Sequence, residues 1–202
     1  MSDLLNRQRL FFNQKAKLIE MNIDFAIRDE NGAEVGRIRQ EGQSTVKKLV
    51  RFVSSIDQFM THTLAVYDAA GTKVVELTRP AKVFKSTVMV KDAAGNEVGK
   101  IVQQNMIGKI RFGLEDAQGT ALGSINAENW RAWNFSIKDA AGTEVARITK
   151  TWEGLAKTLF TTADDYLLDV SGPDLSTTMR RLILASAAGV DLALKQDSRG
   201  LS

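Results

Sequence analysis

The feature that most constrains the fold is a short pattern that recurs five times within 202 residues. Each copy reads Asp-x-x-Gly and is followed by two spaced apolar residues; the copies begin at Asp29, Asp68, Asp92, Asp116 and Asp139. Asp favours the first position of a type I turn because its carboxylate accepts nearby backbone N–H groups, and Gly favours the left-handed position that follows. The pattern therefore predicts five β-hairpin turns, each with a glycine bulge.

The residues after each turn predict a bulge in the second strand of the hairpin. Two apolar residues are spaced by three in every copy: Val35/Ile38, Val74/Leu77, Val98/Ile101, Leu122/Ile125 and Val145/Ile148. Strict alternation would place the two members of each pair on opposite faces. One extra residue in the strand returns both to the core side, so we expect bulges in most of these hairpins.

The number of strands restricts the architecture to a barrel or a sandwich. Five hairpins account for about ten strands, and the segments around Leu18 and Leu168 are expected to add two more. Antiparallel strands in that number must close on themselves or form two packed sheets in order to hide their edges.

The C-terminal segment favours the barrel. Thr178 to Lys195 predicts a helix, and its part from Leu182 to Leu194 is apolar on all sides except at Ser186, Gly189 and Asp191. A helix without a polar face is buried on every side. We therefore expect a mainly β fold over residues 1–202, a single-domain closed antiparallel barrel of about twelve strands enclosing this helix. The alternative, a helix docked in a bilayer or a dimer interface, fits less well because a membrane span needs about 20 apolar residues.

Composition excludes several classes of chemistry. The chain has no cysteine, which excludes disulfides, cysteine-ligated metals and acylation of cysteine as an anchor. A histidine metal site needs more than one histidine, and His62 is the only one in the chain. We therefore expect no enzyme activity. The formal charge of +3 permits an anionic partner without requiring one. Residues 1–9 have no apolar core of a signal peptide, so we expect a cytoplasmic protein.

The stretch from Ile148 to Tyr166 resembles the signature of the phospholipid scramblase/LURP-one-related family. It reads Ile-Thr-Lys-Thr-Trp-Glu-Gly and, further on, Phe-Thr-Thr-Ala-Asp-Asp-Tyr. Upstream, Arg79-Pro80 and the run from Asn129 to Trp133 fit bacterial members of the same family. The resemblance implies a tubby-like fold, a closed barrel around a hydrophobic C-terminal helix. Related folds bind phosphoinositides through surface basic residues, and animal scramblases are associated with calcium-dependent mixing of phospholipids.

The resemblance and the charge pattern together predict a non-enzymatic barrel that interacts with phospholipids or phosphoinositides. We expect it to lie at the inner membrane face as a peripheral protein, with anionic headgroups as partners and no nucleic acid. The candidate lipid-binding residues are Arg79, Lys82, Lys85, Lys47, Lys48 and Arg51, because anionic surfaces attract clustered basic residues. Ordinary solvated charge is the alternative for these residues, and a protein-interaction or scaffolding module without a lipid role is the alternative function.

Calcium is a weaker expectation. The segment from Thr162 to Asp174 aligns with the proposed calcium loop of animal scramblases, and Asp164, Asp169 and Asp174 could supply oxygens. Such a loop needs acidic residues at its first and fifth positions, which are Thr162 and Tyr166 here. We therefore disfavour a metal or other cofactor and expect a plain strand from Tyr166 to Val170.

Overall fold

A computed structural model describes residues 2–14, 24–41, 61–80, 86–105, 111–129, 134–150 and 166–197, with the backbone alone at 14, 24, 62, 129 and 190–197. A 3₁₀ turn at Asp3–Asn6 precedes the first strand, and helix α1 (Thr177–Asp197) follows the last. The strands are β1 (Arg9–Gln14), β2 (Asp24–Arg28), β3 (Glu34–Glu41), β4 (His62–Asp68), β5 (Lys73–Arg79), β6 (Thr87–Asp92), β7 (Glu97–Gln103), β8 (Arg111–Asp116), β9 (Ala121–Asn129), β10 (Asn134–Asp139), β11 (Glu144–Thr149) and β12 (Tyr166–Val170).

The strands form a closed antiparallel barrel, as predicted. Each strand pairs with its neighbours in chain order, and β1 closes the ring by pairing with both β2 and β12. The strand expected near Leu18 lies earlier in the chain, as β1. Leu18 itself is outside the described residues. The strand expected from Tyr166 to Val170 is present with those bounds.

The five turns and their bulges are confirmed. The turn glycines have φ between 79° and 85°, the left-handed region that disfavours a Cβ. In the first hairpin Ile27 pairs with Gly36 but Arg28 pairs with Glu34, so Val35 is the extra residue. Val35 and Ile38 are consequently both buried. The same shift of register occurs in the other four hairpins.

Helix α1 fills the lumen of the barrel. Residues 182–189 are all buried, and eight consecutive residues cover every side of a helix. Leu77 of β5 contacts it closely, since a Cβ added at Gly189 would lie 3.5 Å from Leu77 Cδ2. The predicted helix therefore exists within two residues at each end, and its surface over residues 182–189 is enclosed by the chain's own strands. Within the described ranges, no helix is long and apolar enough to cross a membrane.

Candidate functional site

The two ends of the barrel are built differently. All five Asp-x-x-Gly turns join strands at one end, here called the turn end. The other connections between strands (residues 15–23, 42–61, 80–86, 104–110, 130–133 and 150–165) join them at the opposite end, here called the connection end. Because β1 starts and β12 stops at the turn end, residues 2–8 and the start of α1 also belong to it.

Each turn aspartate holds its turn together with one carboxylate oxygen. Asp29 Oδ1 accepts hydrogen bonds from the backbone N–H groups of Asn31 and Ala33, both at 3.0 Å. The same pair of bonds recurs at Asp68, Asp92 and Asp116, and Asp139 Oδ1 accepts from Thr143. The second oxygen of Asp92 accepts a hydrogen bond from the Asn96 side chain of the same turn at 3.2 Å, whereas the second oxygens of Asp29 and Asp68 have partners outside their turns.

The N-terminal residues supply these partners. Arg7 donates to Asp29 Oδ2 at 3.0 Å, and Ser2 Oγ donates to Asp68 Oδ2 at 3.2 Å. Leu4 and Leu5 lie between them and are buried, with 2% and 6% exposure. The opening of the barrel at the turn end is here called the mouth. Residues 2–8 form an N-terminal clamp that covers one side of it.

Arg180 and Arg181 are the fourth and fifth residues of helix α1, near the positive end of the helix dipole, where a cation is unfavourable. Arg180 donates to the backbone carbonyl oxygens of Leu5, Leu175 and Pro173, each at 3.3 Å, and so ties the clamp to the helix. Arg181 extends to the other side of the mouth, where its NH1 lies 3.9 Å from Asp92 Oδ2. Among the described residues, Arg181 Nε is buried without a hydrogen-bond partner.

The side of the mouth that the clamp leaves open contains a cleft of about 340 Å³. It is bordered by the turns that begin at Asp92 and Asp116 and by the first turn of α1. Its lining comprises the acidic residues Asp92, Glu97 and Asp116, the apolar residues Val98, Ala117 and Leu122, the polar residues Gln118, Ser176 and Thr178, and Arg181. A hydrogen bond from the Asn96 side chain holds the pKa of Asp92 below its usual value, so this carboxylate is ionised at neutral pH.

Of the predicted lipid-binding residues, the structure describes Arg79. Its side chain is 3% exposed and shares the inward face of β5 with Val75 and Leu77. The bulge at Val74 sets this face, because it shifts the alternation of every later residue in the strand. The interpretation of Arg79 as part of an exposed basic group is therefore wrong.

The other predicted lipid-binding residues, Lys82, Lys85, Lys47, Lys48 and Arg51, lie outside the described residues. Their positions in the chain assign them to two connections, β3–β4 and β5–β6. Both connections belong to the connection end, and the strands that they flank are neighbours in the barrel. The binding role of these five residues therefore stays a prediction.

Two of the three calcium candidates lie among the described residues. Asp169 lies in β12 and is half exposed, with its Oδ2 3.8 Å from Arg9 Nε, and Asp174 is exposed between β12 and α1. Asp164 is outside the described residues. In the part of the chain that the structure covers, no three acidic or histidine side chains are grouped as a metal site would require. His62 belongs to β4, but its side chain is not described.

A hydrogen-bonded network crosses the outer wall of β3, β4 and β5. Tyr67 donates its hydroxyl to Glu41, and Lys73 Nζ bonds Glu41 at 2.9 Å and Glu76 at 2.8 Å. Burial by itself would raise the pKa of Glu41, but the hydrogen bonds from Tyr67 and Lys73 outweigh it and lower that pKa. The hydrogen bond to Glu41 raises the pKa of Tyr67. These groups are therefore paired with one another within the wall.

Comparison with known proteins assigns the chain to a family. The sequence model of the Scramblase family matches residues 2–194, which is nearly the whole chain. The chain belongs to the Scramblase family. Neither the curated proteins nor the solved structures that were compared match it. Membership of the Scramblase family indicates a lipid-related role, and the resemblance noted in the sequence is confirmed.

The last aromatic residue of the scramblase signature joins three elements of this barrel. Tyr166 in β12 stacks on Phe12 of β1, and its hydroxyl donates to the backbone carbonyl oxygen of Ala187 in α1 at 2.9 Å. Lys150 is a described residue at the start of the signature, and residues 151–165 lie outside the described part. In this scramblase-family chain, the described end of the motif thus has a structural role, since it ties the helix to the wall.

Sequence reasoning missed the cleft. It interpreted the five aspartates only as turn formers and did not ask where the turns meet. The signal was present, because hairpins that follow one another in a closed barrel place all their turns at one end. The proximity of Arg181 to Asp92, 89 residues apart in the chain, could not be deduced from local pattern.

Proposed function

We propose that this protein is a non-enzymatic, peripheral phospholipid-binding barrel whose connection end faces the anionic inner surface of the membrane. The observation that supports the proposal is the difference in charge content between the turn segments and the connections that join the strands at the opposite end. The five turn segments (28–34, 68–73, 91–97, 115–120 and 138–144) contain ten acidic and four basic residues. The connections at the opposite end contain eleven basic and five acidic residues.

Such a charge distribution orients a molecule at an anionic surface. Each lysine or arginine close to an anionic membrane contributes about 1 kcal/mol, and the attraction decays within a Debye length. The groups Lys47, Lys48 and Arg51 and Lys82 and Lys85 supply five of these charges from neighbouring connections. The acidic turn end would be repelled, so one orientation is favoured.

The filled lumen supports contact on the outside of the barrel rather than passage through it. Residues 182–189 of α1 occupy the interior, and the space between the clamp and the helix amounts to about 10 Å³. A phospholipid acyl chain would have to displace the helix. A role in binding or organising lipid headgroups therefore agrees better with this structure than a lipid pathway through the barrel.

The test is sedimentation with vesicles of phosphatidylcholine alone and of phosphatidylcholine mixed with phosphatidylserine or a phosphoinositide, with and without calcium. We expect binding to anionic vesicles that Lys82→Glu/Lys85→Glu weakens at least tenfold. The matched control is Lys91→Glu/Lys138→Glu, which changes the net charge equally at the turn end. Binding that is independent of anionic lipid, or equal loss in both double variants, would contradict the proposal.

A further inference from the structure

The first of the five turns differs from the other four in the residue that precedes its glycine. That residue is Asn31, which is exposed. The equivalent position of the other turns holds an alanine or a glutamine: Ala70, Ala94, Gln118 and Ala141. No other asparagine in the sequence is followed by a glycine. The pair Asn31-Gly32 is therefore a chemical feature that the repeated turn itself does not require.

An asparagine that precedes a glycine can lose its side-chain amide by a reaction within the chain. The backbone nitrogen of Gly32 attacks Cγ of Asn31, a nitrogen–carbon bond forms, and the side-chain nitrogen leaves as ammonia together with the backbone proton. Glycine permits this approach because it has no Cβ to obstruct it. Water then opens the cyclic imide at one of its two carbonyl carbons. The product is aspartate or isoaspartate, and in isoaspartate the main chain runs through Cγ and contains an extra carbon.

The hydrogen bonds of the turn oppose this reaction. The Gly32 N–H group donates to the Asp29 carbonyl oxygen at 3.0 Å, so the attacking nitrogen is engaged in the closed turn. Asp29 Oδ1 also accepts from the backbone N–H groups of Asn31 and Ala33, both at 3.0 Å. The nitrogen must leave its hydrogen bond before it attacks, and the rate therefore depends on local opening of the turn. Asn31 and Ala33 are exposed, so opening uncovers little apolar surface.

The same turn anchors the N-terminal clamp. Arg7 donates to Asp29 Oδ2 at 3.0 Å, and Asp29 is buried, with 8% exposure. The backbone N–H group of Asp29 donates to the Ala33 carbonyl oxygen at 2.9 Å, which closes the turn. An extra main-chain carbon between positions 31 and 32 lies inside this closed ring and displaces the groups that hold the Asp29 carboxylate. Formation of isoaspartate therefore acts directly on an anchor of the clamp.

We propose that Asn31 is a site of spontaneous deamidation, and that its conversion to isoaspartate loosens the N-terminal clamp over the mouth. The turn sets the rate, because it must open before the backbone nitrogen attacks. The converted form accumulates as the protein molecule ages, so the turn and the clamp together form a slow conformational device. The inference concerns the turn end alone and does not depend on lipid binding.

Incubation of the full-length protein in mildly alkaline buffer tests the site. Trypsin releases residues 29–37 as one peptide, and we expect its mass to rise by the replacement of NH₂ with OH. Methylation of that peptide by an isoaspartate methyltransferase reports the isoaspartate fraction. Asn31→Gln keeps a side-chain amide but would have to form a six-membered ring, and should show no mass gain over the same period. A folded wild type that gains no mass, while the chain unfolded in urea does, would overturn the proposal.

A pair of variants tests the control of the rate by the turn. Asp29→Ala removes the acceptor that holds Asn31 and Ala33, and should accelerate the mass gain about fivefold. Asp116→Ala removes the equivalent acceptor from the fourth turn, away from the clamp, and should leave the rate at Asn31 unchanged. Equal rates in these two variants would show that the first turn does not control the reaction.

Amide hydrogen exchange tests the effect on the clamp. After conversion, residues 2–8 should exchange about tenfold faster than in freshly prepared wild type, whereas Asn31→Gln incubated in the same way should keep the original rate. Freshly prepared Asn31→Asp adds the charge without the extra main-chain carbon and should also keep it. Unchanged exchange after conversion would overturn the link to the clamp, and so would equal acceleration by Asn31→Asp.

Discussion

The rings of Phe12 and Tyr166 are stacked inside the barrel, with centroids 4.8 Å apart and planes 5° from parallel. They lie opposite each other on β1 and β12, the pair of strands that closes the sheet. The Tyr166 hydroxyl reaches beyond this stack to the carbonyl oxygen of Ala187, so one side chain links the closure of the barrel to the helix inside it.

We therefore predict that Tyr166→Phe destabilises the protein by about 0.5–1.5 kcal/mol, because it removes a buried hydrogen bond to the Ala187 carbonyl oxygen, which keeps its bond within the helix. The stacked rings remain, so the loss isolates the hydrogen bond. Tyr67→Phe removes a hydroxyl from the half-exposed outer wall and should cost less than about 1 kcal/mol. Urea denaturation measures both, and an equal cost for the two variants would contradict the assigned role of Tyr166.

Two glycines should respond to alanine for different reasons. A Cβ added at Gly123 would lie 2.1 Å from the carbonyl oxygen of Lys138, so Gly123→Ala must push β9 and β10 apart. Gly142 has open space around its Cβ position but a φ of 85°. We expect a cost of about 3 kcal/mol or more for Gly123→Ala and about 1–2 kcal/mol for Gly142→Ala. Thermal or chemical denaturation measures both costs, and a larger cost for Gly142→Ala than for Gly123→Ala would contradict this prediction.

The network on the outer wall should make stability depend on pH at acidic values. The pKa of Glu41 is lowered in the folded state, so its contribution to stability is present above its ordinary value of 4.5. That contribution is lost as the pH falls through the lowered pKa. We expect Glu41→Gln to cost under about 1 kcal/mol at pH 7, since the group is partly solvated. The cost should shrink as the pH is lowered below 4.5, and a difference from wild type that stays constant there would contradict the pairing.

The clamp should depend on Arg180 more than on surface ion pairs. Arg180→Met removes donors to three carbonyl oxygens, including that of Leu5, and should accelerate amide hydrogen exchange in residues 2–8 about tenfold. Arg9→Met is the control, because Arg9 is more than half exposed and lies 3.8 Å from Glu30 and Asp169. Equal protection in the two variants would show that the clamp is held by its leucines instead.

Much of the fold could be predicted because its signals are local. An Asp-x-x-Gly turn depends on one carboxylate, one left-handed glycine and a few backbone groups, all within five residues. The bulge after each turn follows from the spacing of two apolar residues, such as Val35 and Ile38. The helix in the lumen follows from the absence of a polar face between Leu182 and Leu194.

The properties that escaped prediction depend on residues far apart in the chain. Arg79 belongs to the interior because a bulge five residues earlier sets the alternation of β5. Grouping Arg79 with Lys82 and Lys85 by their proximity in the sequence did not take this bulge into account. The cleft exists because the closed ring brings the turns of Asp92 and Asp116 beside the start of α1. Backbone conformation responds to neighbouring residues, so turns, bulges and the buried helix can be deduced from sequence. Burial of a given charge and the shape of a mouth arise from closure of the sheet, and only the folded chain defines them.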